Sequence, residues 1–175
     1  MQSKINISIK NKCKKIKIIL TDVDGVLTDG GRYYSEKGEI LKKFHVRDGM
    51  GVNILLRNGI KTIIVTKENS KITKKWAKDM NVTKIISGSL KKENELVKIC
   101  KIFKLSPTQI AYIGDDVNDI GLLKKVGFSA TTNDADNMIK ENVDYVCTKD
   151  GGNGAFREIS DMIFKEKFSS KKKLY

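Results

Sequence analysis

Short apolar runs alternate along this chain with longer amphipathic stretches. The runs at 16–20, 60–65, 84–87, 110–113, 128–130 and 143–147 are mostly apolar, several of them rich in Ile or Val, and are too short for helices. Each predicts a buried strand, because a strand covered on both faces reads as continuous apolar sequence. Between them the period changes. Leu96, Ile99, Cys100 and Phe103 fall at i, i+3, i+4 and i+7, and Phe156, Ile159, Ser160 and Ile163 repeat that spacing. Such positions share one face of a helix. The alternation predicts a Rossmann-like α/β fold, a mainly parallel sheet with helices on both faces.

One segment departs from this rhythm. In residues 30–46, two strand-like pieces flank Glu36-Lys37-Gly38, which predicts a β-hairpin inserted after the first strand. A lone hairpin is marginal in water. It must pack on something, and a neighbouring subunit is the candidate.

The 175 residues, 39% of them hydrophobic, suffice for one domain with a core. No run of about 18 apolar residues predicts a membrane span, and the N-terminus lacks the apolar stretch of a secretory signal. Three scattered cysteines (Cys13, Cys100, Cys147) have neither metal nor redox spacing. They point to a reducing, cytoplasmic compartment. The net charge of +13 suggests nucleic acid, yet residues 1–17 carry +6, residues 165–175 carry +4, and residues 18–164 hold only +3. We therefore expect basic tails over 1–14 and 165–175, flanking a single domain over 15–164. No aromatic and basic stacking face accompanies the charge, so nucleic acid is not expected as a partner.

The first predicted strand runs into Asp22-Val23-Asp24-Gly25. Period two points both carboxylates to one side, at the strand end where open α/β sheets bind ligands. Two like charges held together there need a cation or a shared proton. Mg²⁺ suits a site of hard oxygen ligands that also holds phosphate. A calcium loop does not fit, because the third Asp or Asn and the Gly after it are missing. A turn with two capping Asp residues is the plainer alternative. A second acidic cluster, Gly114-Asp115-Asp116-Val117-Asn118-Asp119, follows the run at 110–113 and lands on the same sheet edge. Asp115 is expected to complete the cation site, Asp116 both to join it and to cap a helix, and Asp119 to brace the loop. Thr66 ends another strand with a hydroxyl and backbone amides. Lys92 opens a helix, where the dipole disfavours a cation unless it neutralises a bound anion. Lys91 competes with it.

Asp22-x-Asp24-Gly25, Thr66, Lys92 and Gly114-Asp115-Asp116-x-x-Asp119, at successive strand ends, resemble the four motifs of the haloacid dehalogenase superfamily of phosphatases. Thr28-Asp29-Gly30, Val46-Arg47-Asp48-Gly49 and Gly151-Gly152-x-Gly154-Ala155-x-Arg157-Glu158 further resemble the 3-deoxy-D-manno-octulosonate 8-phosphate phosphatase group. That group includes nonulosonate 9-phosphate phosphatases and the phosphatase-like domain of some acylneuraminate cytidylyltransferases. The resemblance implies a fold without a large cap domain and a homotetramer assembled through the hairpin. It implies a Mg²⁺-dependent phosphatase of lipopolysaccharide or sialic acid biosynthesis, acting on a phosphorylated sugar acid.

The resemblance also implies roles. Asp22 is the nucleophile that becomes an aspartyl-phosphate. Asp24 is the general acid and base. Mg²⁺ is held by Asp22, the Asp24 backbone carbonyl and Asp115, and Thr66 and Lys92 hold phosphate oxygens. Arg47, Glu68 and Arg157 are substrate-binding candidates, Arg47 as a carboxylate anchor. The octulosonate enzymes usually follow the motif threonine with Gly-Arg, whereas this chain has Lys67-Glu68. With Asn118-Asp119, that tilts the expectation toward a nine-carbon sugar acid. The competing function is a non-catalytic oligomerisation module like the cytidylyltransferase-linked domain, for which clustered charges have no use.

Overall fold

The computed structural model describes residues 6–168. Its elements follow one another as α1 (Ile7–Lys15), β1 (Ile18–Thr21), β2 (Tyr33–Ser35), β3 (Gly38–Leu41), α2 (Val46–Arg57), β4 (Lys61–Val65), α3 (Lys71–Asp79), β5 (Lys84–Ile86), α4 (Lys92–Phe103), β6 (Ile110–Ile113), α5 (Ile120–Leu123), β7 (Phe128–Thr131), α6 (Asn137–Lys140), β8 (Tyr145–Val146) and α7 (Ala155–Lys167). All six predicted strands form, and they pair in the order β5-β4-β1-β6-β7-β8, every neighbour parallel. The chain moves from β1 to β4 and β5 on one side, then crosses back to β6 on the other. The direction therefore reverses at β1 and β6, and open α/β sheets bind ligands at such a switch point.

Alternation along the strands builds two cores. Ile19, Ile64, Ala111 and Ile113 face one way and pack with Val52, Leu55, Phe156 and Ile163 of α2 and α7. Ile18, Leu20, Ile63 and Val65 face the other way and pack with Leu96, Ile99, Leu122 and Ile139 of α4, α5 and α6. Both faces are thus covered, as the continuous apolar runs require. Among the described residues there is no large cap domain. Among the described residues, no helix is long and apolar enough to cross a membrane.

The expected N-terminal tail needs correction. Residues 7–15 are helical and pack against α7. Ile9, Cys13 and Ile16 recur at i, i+4 and i+7; Cys13 and Ile16 are fully buried, and Ile9 packs on the same core. The lysines line the remaining faces, and Lys12 pairs with Asp144. Burial of that stripe outweighs the basic composition that suggested a solvated tail. At the other end, α7 continues through Lys167. The rest of the two expected tails, residues 1–5 and 169–175, lies outside the described residues.

The hairpin β2–β3 forms a separate two-stranded sheet, and a bridge between Thr28 and Phe44 closes its base. Phe44 stacks on Trp76 of α3, ring centroids 4.7 Å apart. The hairpin is therefore anchored on its own chain. Tyr33, Tyr34, Ile40 and Leu41 remain exposed on it.

Asp48 lies in the first turn of α2 and accepts the Arg157 N–H at 2.8 Å, fixing the first turn of α7 against α2. Burial pushes its carboxyl from 3.8 up to about 6, against the opposing pull of the Arg157 and Gly154 amides. Folding thus favours the protonated form. The stability this group contributes is complete below its unfolded pKa and is lost as pH rises through the folded one. Asp48→Asn keeps an oxygen for the Arg157 amide but cannot ionise. Its unfolding free energy should gain on wild type between about pH 4 and about pH 7, measured by urea denaturation at each pH. Deleting residues 1–14 should lower the unfolding free energy by about 3 kcal/mol; a solvated tail would leave it unchanged.

Candidate active site

All six strands end on one edge of the sheet, and the segments that follow four of them carry the residues singled out above. Asp22 follows β1 and donates its N–H to the Ile113 carbonyl of β6 at 3.0 Å, which ties the two strand ends together. Asp115 follows β6. The carboxylates of Asp22, Asp115 and Asp119 come within 4.8 Å of one another. Gly25 makes this approach possible. Its φ of +86° belongs to glycine, and a Cβ there would overlap the Asp115 carboxylate. A Cβ on Gly114 would likewise collide with Asp119.

Lys92 sits in the middle of this negative cluster. Its side chain is 1% exposed, and its ammonium pairs with Asp22 Oδ2 at 2.7 Å and Asp119 Oδ1 at 2.6 Å. Lys91 is exposed, so the structure decides between the two lysines that spacing left open. The first turn of α4 places Lys92, and Tyr112 of β6 completes its surroundings. The Tyr112 hydroxyl donates to Asp119 Oδ1 and lies 3.4 Å from Lys92 Nζ. Asp119 is fully buried. Its other oxygen accepts the N–H groups of Asp115 and Asp116 at 3.0 and 3.2 Å, so it braces the loop from inside.

The electrostatics follow from crowding. Burial drives the Asp115 carboxyl up to about 8, with the negative charges of Asp22 and Asp119 adding to the rise and Lys92 opposing it. Burial likewise raises Asp22 to about 6, against the pull of Lys92. Burial would lower Lys92, but Asp22 and Asp119 more than reverse this and hold it above its ordinary range. One buried ammonium thus faces three carboxyls. Asp115 Oδ1 is buried without a hydrogen-bond partner. An orphaned hard oxygen among crowded carboxylates fits a divalent cation such as Mg²⁺.

The remaining candidates separate into two groups. Thr66 is buried after β4, and its Oγ1 accepts the Glu68 N–H at 3.2 Å. Asp24 is held by the hairpin, pairing with Lys42 and with Arg32 at 3.3 Å. Glu68 pairs with the same Arg32 at 3.3 Å. Asp116 is exposed and accepts the Val117 N–H at 2.7 Å, which makes it a cap. Arg47 is exposed in the first turn of α2, and Arg157 pairs with Asp161 along its own helix at 2.7 Å. Neither side chain is tied to the acidic cluster among the described residues. Tyr112, Lys42, Arg32 and Glu39 escaped the sequence reading. Tyr112 reads as a core strand residue, and the other three belong to a hairpin whose packing no period reveals.

Asp119→Asn should leave Lys92 one partner short in a buried setting. We expect a loss of about 3 kcal/mol in unfolding free energy, measured by denaturant titration. A surface-like loss of a few tenths would contradict this placement.

Residues 58–159 match the model of the haloacid dehalogenase-like hydrolase family. The chain is 39% identical over 155 residues to the 3-deoxy-D-manno-octulosonate 8-phosphate phosphatase KdsC of Haemophilus influenzae, covering 89% of this chain and 86% of that one. The cobalt-bound structure of the Haemophilus influenzae phosphatase superposes with a TM-score of 0.87, covering 89% and 91% of the two chains. The corresponding phosphatase of Moraxella catarrhalis, solved with magnesium, phosphate and KDO, is 36% identical with a TM-score of 0.88, covering 90% and 91%. The acidic strand ends, the buried lysine between them and these likenesses agree: the chain belongs to the haloacid dehalogenase-like hydrolases, in the 3-deoxy-D-manno-octulosonate 8-phosphate phosphatase group, and is a phosphoric monoester hydrolase.

Proposed function

We propose that the chain hydrolyses 3-deoxy-D-manno-octulosonate 8-phosphate, with Mg²⁺ as cofactor, through a phosphorylated Asp22. The observation that carries this reading is the Lys92–Asp22 pair at 2.7 Å inside the acidic cluster. An ammonium beside a carboxylate nucleophile also lies where an incoming phosphate oxygen would meet it.

The Asp22 carboxylate attacks phosphorus, the ester P–O bond breaks, and its electron pair leaves on the sugar oxygen. Asp24 supplies the proton to that oxygen and later accepts one from the water that cleaves the aspartyl-phosphate. Lys92 and Thr66 orient the non-bridging oxygens. Asp22, the Asp24 carbonyl and Asp115 would hold Mg²⁺, with Asp116 and Asp119 in support. The ion would offset the charge of nucleophile and phosphate together. Arg47, exposed on α2, is the cation we assign to the sugar carboxylate. Arg157 is engaged by Asp161, and we assign it no contact with substrate.

The choice of an eight-carbon acid revises the tilt toward nine carbons. That tilt rested on Glu68 and on Asn118-Asp119; in the structure Glu68 pairs with Arg32, and Asp119 is taken up by Lys92 and two backbone amides. The relatives named above are octulosonate phosphatases. Exposed Tyr33, Tyr34, Ile40 and Leu41 support assembly through the hairpin, which we assign to a homotetramer. The three free cysteines support a reducing, cytoplasmic setting.

Phosphate release from octulosonate 8-phosphate and nonulosonate 9-phosphate, with and without Mg²⁺, tests the proposal. We expect kcat/KM to favour the eight-carbon ester by about tenfold or more, activity to vanish with chelator and return with Mg²⁺, and Asp22→Asn to be inactive with unchanged oligomeric state. The reverse preference would move the assignment to the nine-carbon acid. An Asp22→Asn variant that still turns over would refute the mechanism.

A further inference from the structure

The geometry points to Lys42 as the positioning residue for Asp24, delivered to the site by the hairpin of the same chain. This rests on the proposed role of Asp24 as general acid. Lys42 follows β3, and its side chain is 0% exposed. Its ammonium pairs with Asp24 Oδ1 and, at 3.1 Å, with Glu39 Oε1. Glu39 in turn accepts the Ser70 hydroxyl at 2.6 Å. Ser70 is the N-cap of α3 and accepts the Thr73 N–H. A continuous chain of polar contacts therefore runs from a helix terminus through Glu39 and Lys42 to Asp24. Arg32 takes the second Asp24 oxygen from the same hairpin, but that side chain is 32% exposed.

Burying an ammonium is costly unless it is paired. Packing alone would be met by an apolar side chain, so the cation at position 42 is explained by its partners. Glu39 fixes where the ammonium stands, and the ammonium fixes how the Asp24 carboxyl is turned. Orientation matters most at an acid that must meet one ester oxygen as its bond to phosphorus breaks. A displacement of about 1 Å at such a group costs about 100-fold in rate.

The leaving group supplies the test. An alkyl phosphate, such as a sugar phosphate, needs its departing oxygen protonated, whereas p-nitrophenolate leaves without help. The value of kcat/KM reports the first phosphoryl transfer, before the aspartyl-phosphate step common to all esters. We therefore compare kcat/KM for octulosonate 8-phosphate with that for p-nitrophenyl phosphate in each variant. This ratio is independent of how much of a preparation is folded. Lys42→Met should lower the ratio by about 100-fold, Glu39→Gln should lower it less, and Lys42→Arg should bring it back toward wild type. Equal losses on both esters, or no loss, would show that Lys42 only supports the fold and would overturn the inference. Asp24→Asn separates the two levels. If it leaves the ratio unchanged, the acid role itself fails. If it lowers the ratio while Lys42→Met does not, only the positioning role fails.

Discussion

The pairing of one buried ammonium with the carboxylates around it governs this structure. Lys92 stands between Asp22 and Asp119 with almost no exposure, at the edge of the sheet where β1 and β6 end. Three carboxyls in so small a space repel one another and resist ionisation, and a single cation only partly compensates. The imbalance is chemically useful. It offers a hard cation a place beside Asp115, and it sets Lys92 beside Asp22, the nucleophile we propose, where a phosphate oxygen would meet it.

Everything nearby serves that cluster. The parallel sheet brings strand ends that are distant in sequence to one edge, and the reversal of direction at β1 and β6 opens the crevice between them. Gly25 and Gly114 remove the side chains that would keep Asp115 and Asp119 away. Asp119 gives one oxygen to Lys92 and Tyr112 and the other to two backbone amides, so the loop and the lysine are fixed by the same residue. The hairpin adds a second polar layer by placing Lys42 and Arg32 on Asp24.

Much of this was legible in the sequence because it is periodic or local. The short, mostly apolar runs became β1, β4, β5, β6, β7 and β8, most plainly in the central β1, β4 and β6, where burial on both faces leaves few polar positions. Asp22, Asp24 and the 114–119 cluster stood out because carboxylates directly after buried strands are rare without a purpose. What stayed hidden depends on partners far along the chain. The Ile9, Cys13, Ile16 stripe was masked by six lysines, so a docked helix read as a tail. Tyr112 looked like one more core residue until its hydroxyl was seen on Asp119. The pairing of Glu68 with Arg32, 36 residues earlier, likewise left no local mark in the sequence.

Chemical trapping of the phosphorylated residue tests the central claim most directly. Enzyme quenched in acid during turnover and reduced with borohydride converts an aspartyl-phosphate to homoserine, which peptide mass spectrometry can locate. The account predicts homoserine at position 22, formed only when substrate is present. Homoserine at another aspartate, or none while phosphate is being released, would contradict it.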